Sequence, residues 1–230
     1  MRLALMQPYF LPYIGYFQLM AASSKFIVHD KIEHSKKGWV NRNRAFNDEM
    51  FTIPLKKHSD HCAIRDLKIA DSWPAERNKI LRKIRSFYGK TKNFYFAYPL
   101  IEDIFLYQED ILKHFLGHSI QRLKKYLKIT TELRWASETF VSTDLKGIEM
   151  VKAYCQKHQA ETYINAIGGQ DLYKKEDFKA IGVDLKFVES KKFTYNRKGH
   201  PEIFGLSILD VLMFNHREEV INFIERYELI

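Results

Sequence analysis

The chain has 230 residues, 46% hydrophobic and 14% aromatic, with a net charge of +9 and two cysteines. That is enough apolar mass for one large domain, and no apolar run approaches the roughly 18 residues of a membrane span. Cys62 and Cys155 are too few and too scattered for a disulfide framework, which fits a reducing cytoplasm, and no secretion signal or zinc-like His/Cys spacing is visible, so no metal site is expected.

Leu3–Met6 is a short apolar run that reads as a buried strand. It leads into Gln7-Pro8-Tyr9-Phe10-Leu11-Pro12-Tyr13-Ile14-Gly15-Tyr16-Phe17. Pro8 and Pro12 fix φ and remove backbone donors, so the strand cannot continue inside a sheet. Gly15 removes a Cβ where the chain turns, and Tyr16 onward suits a helix. A strand, a stiff loop and a helix start together aim backbone N–H groups at an anionic ligand. Tyr9, Tyr13 and Tyr16 either wall that ligand or pack the loop. Sites in open α/β sheets lie at the carboxyl ends of strands, which favours the first reading.

Phe26–His29 reads as a second strand with Asp30 at its exit, Phe51–Leu55 as a third and Ile64–Ile69 as a weakly alternating fourth. Trp73-Pro74 opens a helix through Tyr88. Phe94–Leu106 and Ile111–Leu127 carry apolar residues at three-to-four spacing, giving a helical middle. Arg134–Ala136 and Thr139–Val141 read as short extended pieces. A helix over Leu145–His158 shows Ile148, Val151, Tyr154 and Cys155 on one face. Thr162–Ala166 is a strand ended by Gly168-Gly169, Asp177–Ala180 a short helix and Asp184–Val188 a strand. Ile208–Asn215 and Glu219–Tyr227 close the chain as helices. This alternation predicts an α/β fold: a mostly parallel sheet with flanking helices, one domain over 1–230, and a helical subdomain or lid at about 74–128.

Asp30, followed by Lys36-Lys37-Gly38-Trp39-Val40-Asn41-Arg42-Asn43-Arg44, is the second candidate site. In an extended segment Arg42 and Arg44 share one face and Asn41 and Asn43 the other. Guanidinium forks suit phosphate or carboxylate, amides suit a sugar or base, and Trp39 offers a stacking face. The bland alternative is a polar edge strand. Tyr163 and Asn165, beside Gly168-Gly169, are a third contributor, with the glycines allowing close backbone approach. Basic residues cluster at Lys79–Lys92, Arg122–Lys128 and Lys191–Lys198. They suit an anionic partner such as a sugar nucleotide or acidic carrier protein, or they are solvated helix faces. No nucleic-acid signature accompanies them. Ser207 reads as a helix N-cap ahead of Asp210, His58 and His61 as surface residues, and Cys155 as core.

Met6-Gln7-Pro8-Tyr9-Phe10, Pro12-Tyr13-Ile14-Gly15-Tyr16-Phe17, Trp39-x-Asn41-Arg42-Asn43, Ile53-Pro54, Tyr163-Ile164-Asn165, Leu172-Tyr173 and Leu206-Ser207-Ile208-x-Asp210 together resemble the WbqC-like proteins, over nearly the whole chain. Members of that family are encoded among bacterial O-antigen and surface-polysaccharide genes, and some are suggested to be glycine transferases acting on an amino sugar. The resemblance therefore implies a cytoplasmic transferase that uses a sugar nucleotide and an activated amino-acid donor. Gln7-Pro8 and Ile14-Gly15 also have the spacing seen where tryptophanyl-tRNA synthetases begin, in the phosphate loop of the HIGH-motif nucleotidyltransferases. That likeness makes ATP a candidate ligand, although Tyr13 and Tyr16 stand at or near the positions where that superfamily prefers histidine or threonine and histidine or asparagine.

On this reading Asp30 would deprotonate or orient the acceptor amine, and Arg42 and Arg44 would hold diphosphate or carboxylate. Gln7, Pro8 and the N–H groups around Gly15 would hold the donor, with Tyr9, Tyr13, Tyr16 and Trp39 as walls. Asn41, Asn43, Tyr163 and Asn165 would contact substrate. The rival expectation is a non-catalytic module that binds a sugar nucleotide or a carrier protein.

Overall fold

The structure is a computed structural model and describes residues 1–230 apart from Phe140 and Thr143. Five parallel strands form its centre: β1 (Arg2–Met6), β2 (Lys25–Val28), β5 (Glu132–Trp135), β6 (Thr162–Ala166) and β7 (Asp184–Ser190). A short antiparallel strand, β8 (Tyr227–Leu229), closes one edge, and the order across the sheet is β5-β2-β1-β6-β7-β8. The chain first winds outward from β1 through β2 to β5, then returns past β1 to β6 and β7. Numbered by first appearance, the parallel strands run 3-2-1-4-5, the doubly wound order whose ligand crevice opens where the winding reverses. Here that point lies between β1 and β6.

Strand alternation sorts side chains into two cores. Leu3, Leu5 and Ile27 meet Val151, Tyr154 and Cys155 of α5 (Gly147–Lys157) and Phe178 of α6 (Lys175–Lys179) on one face. Ala4, Phe26 and Val28 face the other core. That core holds α1 (Ile14–Ala22), α7 (Ile208–Phe214), α8 (Arg217–Ile224) and the middle helices α2 (Trp73–Tyr88), α3 (Phe94–Leu106) and α4 (Leu112–Tyr126). Both faces are covered, which explains why Leu3–Met6 of β1 and Phe26–Val28 of β2 are continuous apolar runs. Among the described residues no helix is long and apolar enough to cross a membrane.

Three expectations differ from the structure. Phe51–Leu55 is not a strand of the main sheet. Its first part lies in β4 (Glu49–Thr52), which pairs antiparallel with β3 (Arg42–Ala45) as a separate ribbon. Ile64–Ile69 is a 3-10 turn over Ile64–Asp66 followed by single bridges, because its first amides are taken by the carbonyls of Ile32 and Asp30. The closing helix stops at Ile224, and Tyr227 enters β8. The stretch Thr139–Val141 includes Phe140, which lies outside the described residues.

Candidate functional site

The loop after β1 is held from several sides. The Asn43 side-chain amide donates to the carbonyls of Phe10 (3.1 Å) and Leu11 (2.9 Å). Ser207 Oγ also donates to Leu11 O at 2.6 Å, the Phe10 amide donates to Val40 O, and the Ile208 amide donates to Pro12 O. Between the prolines, Leu11 sits at φ +43, a left-handed conformation that a non-glycine residue keeps only when its surroundings enforce it. Phe10 is buried against Phe51 of the β3–β4 ribbon and against Trp73, Phe105 and Phe115, so the helical middle packs directly on the loop. Asn41 likewise works inward, donating to Ile53 O at 2.8 Å with its oxygen 3.3 Å from His34 Nε2. Both asparagines are buried clamps on backbone rather than amides offered to a ligand. The cap expectation for Ser207 matches: its hydroxyl accepts from the Leu209 amide.

The loop borders a cleft of about 500 Å³ at the carboxyl ends of β1, β2 and β6. Of the expected site residues, Gln7, Tyr9, Tyr13, Gly15, Tyr16, Trp39, Tyr163 and Asn165 line it. Trp39 stands 40% exposed at the rim with the Arg44 guanidinium 5.7 Å from its ring centroid. A smaller hollow of about 180 Å³ continues the cleft between Tyr9, Tyr13, Trp39, Asn43, Phe204 and Gly205. Gly15 is required by packing: a Cβ there would collide with the Tyr13 ring, which folds back over the first turn of α1. Gly169 does the same for Asn165, whose Nδ2 lies 2.5 Å from where a Cβ would stand. Tyr163 is core, stacked on Phe178, and forms only part of the floor.

Pro8, Asp30, Arg42 and Arg44 are placed elsewhere. Pro8, within the loop, is buried and does not line the cleft. Asp30 is 0% exposed and its carboxylate is engaged: Ser137 donates its amide (2.9 Å) and its hydroxyl (2.6 Å), and Lys113 Nζ lies 3.4 Å away. A carboxylate so enclosed fixes the segment after β5 against the exit of β2 and does not meet a ligand in the cleft. Arg42 Nε donates to Gly38 O, bracing the Trp39 loop. Arg44 pairs with Asp48 at 2.7 Å and donates to Phe204 O. The alternation expected of the segment is real, but it turns the amides inward and leaves the guanidiniums as struts.

The residue that reaches the cleft from β2 is His29. It is 6% exposed, and neither ring nitrogen has a hydrogen-bond partner among the described residues. Burial pushes its pKa from 6.5 down to about 4, with Asp30 opposing and Lys31 adding to the shift, so the imidazole is neutral at pH 7. The Tyr16 hydroxyl, on the same floor, is also buried without a partner among the described residues, and burial raises its pKa well above the ordinary value. Other buried polar atoms, such as Gln18 Oε1, Trp73 Nε1 and Ser119 Oγ, also have no partner among the described residues, so what distinguishes His29 and Tyr16 is that both line the cleft, where a ligand can complete them. Sequence reasoning stopped one residue late, at Asp30. The available signal was the strand period, which puts Ile27 and His29 on one face and makes His29 the last side chain on it.

His29, Ile32 and Met150 also wall a second hollow, of about 550 Å³, on the α5 side. Two spaces of similar size therefore meet at one imidazole.

The sequence profile of the WbqC-like protein family matches residues 7–222. A protein of Mycobacterium tuberculosis (strain ATCC 25618 / H37Rv), described as uncharacterized protein Rv1507c, is 24% identical over 224 residues, covering 93% of each chain. No solved structure matches.

Proposed function

We propose, from the premise that the chain belongs to the WbqC-like protein family, that it is a group-transfer enzyme of surface-polysaccharide (O-antigen) biosynthesis. It moves an acyl or aminoacyl group, with glycyl as the first candidate, onto the amine of a nucleotide-linked amino sugar. One observation carries the reading: two hollows of about 500 and 550 Å³ share the neutral imidazole of His29, at the exit of β2, one strand from the point where the winding reverses, and that ring has no partner among the described residues. A transferase needs this arrangement, with two ligands in contact at a group that can take a proton. The process and the transferred group rest on the family resemblance; the location and the base rest on the geometry.

In this mechanism the acceptor amine attacks the carbonyl carbon of the activated donor. A C–N bond forms, the bond to the donor's leaving group breaks, and the leaving group departs with that electron pair. His29 accepts the proton lost by the amine. The Tyr16 hydroxyl donates a hydrogen bond to a ligand oxygen, and Gln7 and Asn165 orient the sugar. Tyr9, Tyr13 and Trp39 provide stacking surface. Asp30 is a positioning residue on this account, acting through Ser137 and Lys113. ATP is the candidate for activating the donor.

Incubating the protein with UDP-amino sugars, ATP and glycine tests the proposal by mass spectrometry of the sugar. The expected result is an aminoacylated sugar in the wild type and a loss of roughly 10²–10⁴-fold in rate for His29→Ala. A thermal-shift screen gives an independent reading, since a ligand at 100 times its Kd adds about 2.7 kcal/mol. Stabilisation by a sugar nucleotide without any transfer would instead mark the binding module.

A further inference from the structure

The two hollows differ in chemistry. The cleft between β1 and β6 is walled by aromatic, amide and aliphatic groups. Its neighbour is lined by Lys31, Lys146 and His61 and by the first residue of α5, Gly147. Lys31 Nζ donates to Val141 O at 2.8 Å, which leaves two of its three N–H groups for other acceptors. Lys146 is the N-cap of α5 and gives no side-chain cap, and the first amides of this 11-residue helix have no partner among the described residues. Gly147 lies at φ +52, and a Cβ on it would meet nothing within 4 Å, so the helix start borders open space. One carboxylate, Glu33, shares the lining, with His61 Nδ1 3.2 Å away. His29, deeply buried with both nitrogens unpartnered among the described residues, is itself part of the lining of both spaces.

We infer that the second hollow is an anion subsite that takes the phosphate oxygens of the substrate. Two lysines and an uncapped helix start converge there, the arrangement that binds phosphate elsewhere. This inference rests on the transferase reading and deepens it: the acceptor sugar and its amine occupy the aromatic cleft, and the phosphate of the activated donor lies beyond His29, so each hollow holds one of the two ligands. It also replaces the role expected of Arg42 and Arg44, whose guanidiniums brace the Trp39 loop and its neighbours.

The test is calorimetric titration with inorganic pyrophosphate and, separately, with UDP. The proteins compared are wild type, Lys31→Ala/Lys146→Ala, Lys146→Glu and Trp39→Ala. Lys146 is exposed, so Lys146→Glu keeps the fold even if the double variant does not. We expect pyrophosphate affinity to fall at least tenfold in both lysine variants and to be unchanged in Trp39→Ala. A parallel loss for UDP assigns the subsite to the diphosphate of a nucleotide, whereas a loss for pyrophosphate alone assigns it to a free phosphate product. Unchanged affinity in Lys146→Glu, or a loss caused by Trp39→Ala instead, overturns the inference. Transfer activity separates the two ideas. Lysine-dependent pyrophosphate binding without group transfer leaves this subsite standing and removes the transferase. Transfer with lysine-independent pyrophosphate binding does the reverse.

Discussion

Two of the buried polar centres among the described residues, one around Asp210 and one at the cleft floor, are treated in opposite ways. Around Asp210 every group is engaged: its carboxylate accepts from Tyr88 (2.6 Å), Tyr195 (2.7 Å) and the Arg197 guanidinium (2.8 and 3.0 Å). Arg197 donates onward to the carbonyls of Phe46 and Pro201, and the Tyr88 hydroxyl accepts from the Phe46 amide. The ion pair is sealed, with side chains 2% and 0% exposed. At the cleft floor, His29 and Tyr16 are nearly as buried and have no partners among the described residues. Complete satisfaction locks α2, α7, the β3–β4 turn and the 195–201 segment together. Incomplete satisfaction leaves binding capacity for something else.

The contrast can be broken by mutation, beginning with its larger arm. Asp210→Ala strands a buried guanidinium and two tyrosine hydroxyls. Losing one partner of such a pair costs about 3–5 kcal/mol, so Tm should fall on the order of 10 °C. A Tm within a degree or two of wild type would mean the network is not structural. His29→Asn should behave oppositely, with transfer or ligand binding lost and stability at pH 7 kept within about 1 kcal/mol.

The same variant sharpens the comparison through pH. Folding holds His29 at about 4, below its ordinary 6.5, so the neutral form is the one the fold favours. That contribution is complete above pH 6.5 and lost as pH falls toward 4, on the order of 3 kcal/mol in all. Burial also lowers the pKa of His34 and His158, but both remain in the variant, so the difference between the two denaturation curves isolates His29. Parallel curves from pH 7 to 4 would argue against a buried neutral imidazole.

Smaller effects follow. Asn43→Ala removes the clamp on two carbonyls of the β1–α1 loop and should cost about 1–3 kcal/mol, with substrate affinity falling alongside. Tyr16→Phe should leave stability unchanged or slightly higher, since it deletes a hydroxyl with no protein partner, while weakening ligand binding a few-fold. A clear loss of stability in Tyr16→Phe would place that hydroxyl with the satisfied centre.

Much of the scaffold was legible because local signals agreed with the tertiary outcome. Trp73–Tyr88 and Phe94–Leu106 match the expected helices at both ends, with Pro74 in the first turn of the former and, in the latter, apolar spacing that outweighs Pro99 in the helix interior. What escaped depended on distant partners. Tyr227–Leu229 is a three-residue strand defined only by its pairing with β7. Arg197 belongs to a basic run that reads as a surface patch, yet its carboxylate partner lies 13 residues away and its carbonyl partner Phe46 lies 151 away. At the site, the aromatic residues were legible and the polar roles were not. Asn41, Asn43 and Asp30 have the chemistry of ligand contacts, but burial turned them into clamps, and residue type alone does not reveal burial. His29 was within reach of strand periodicity.

The central claim is that His29 faces ligand rather than protein, and side-chain ¹⁵N NMR of its imidazole tests this most directly. In the free protein at pH 7 the ring should be neutral, and saturating UDP-amino sugar should move its nitrogen resonances. An imidazole already charged at pH 7, or one whose resonances stay fixed at saturation, would contradict the account.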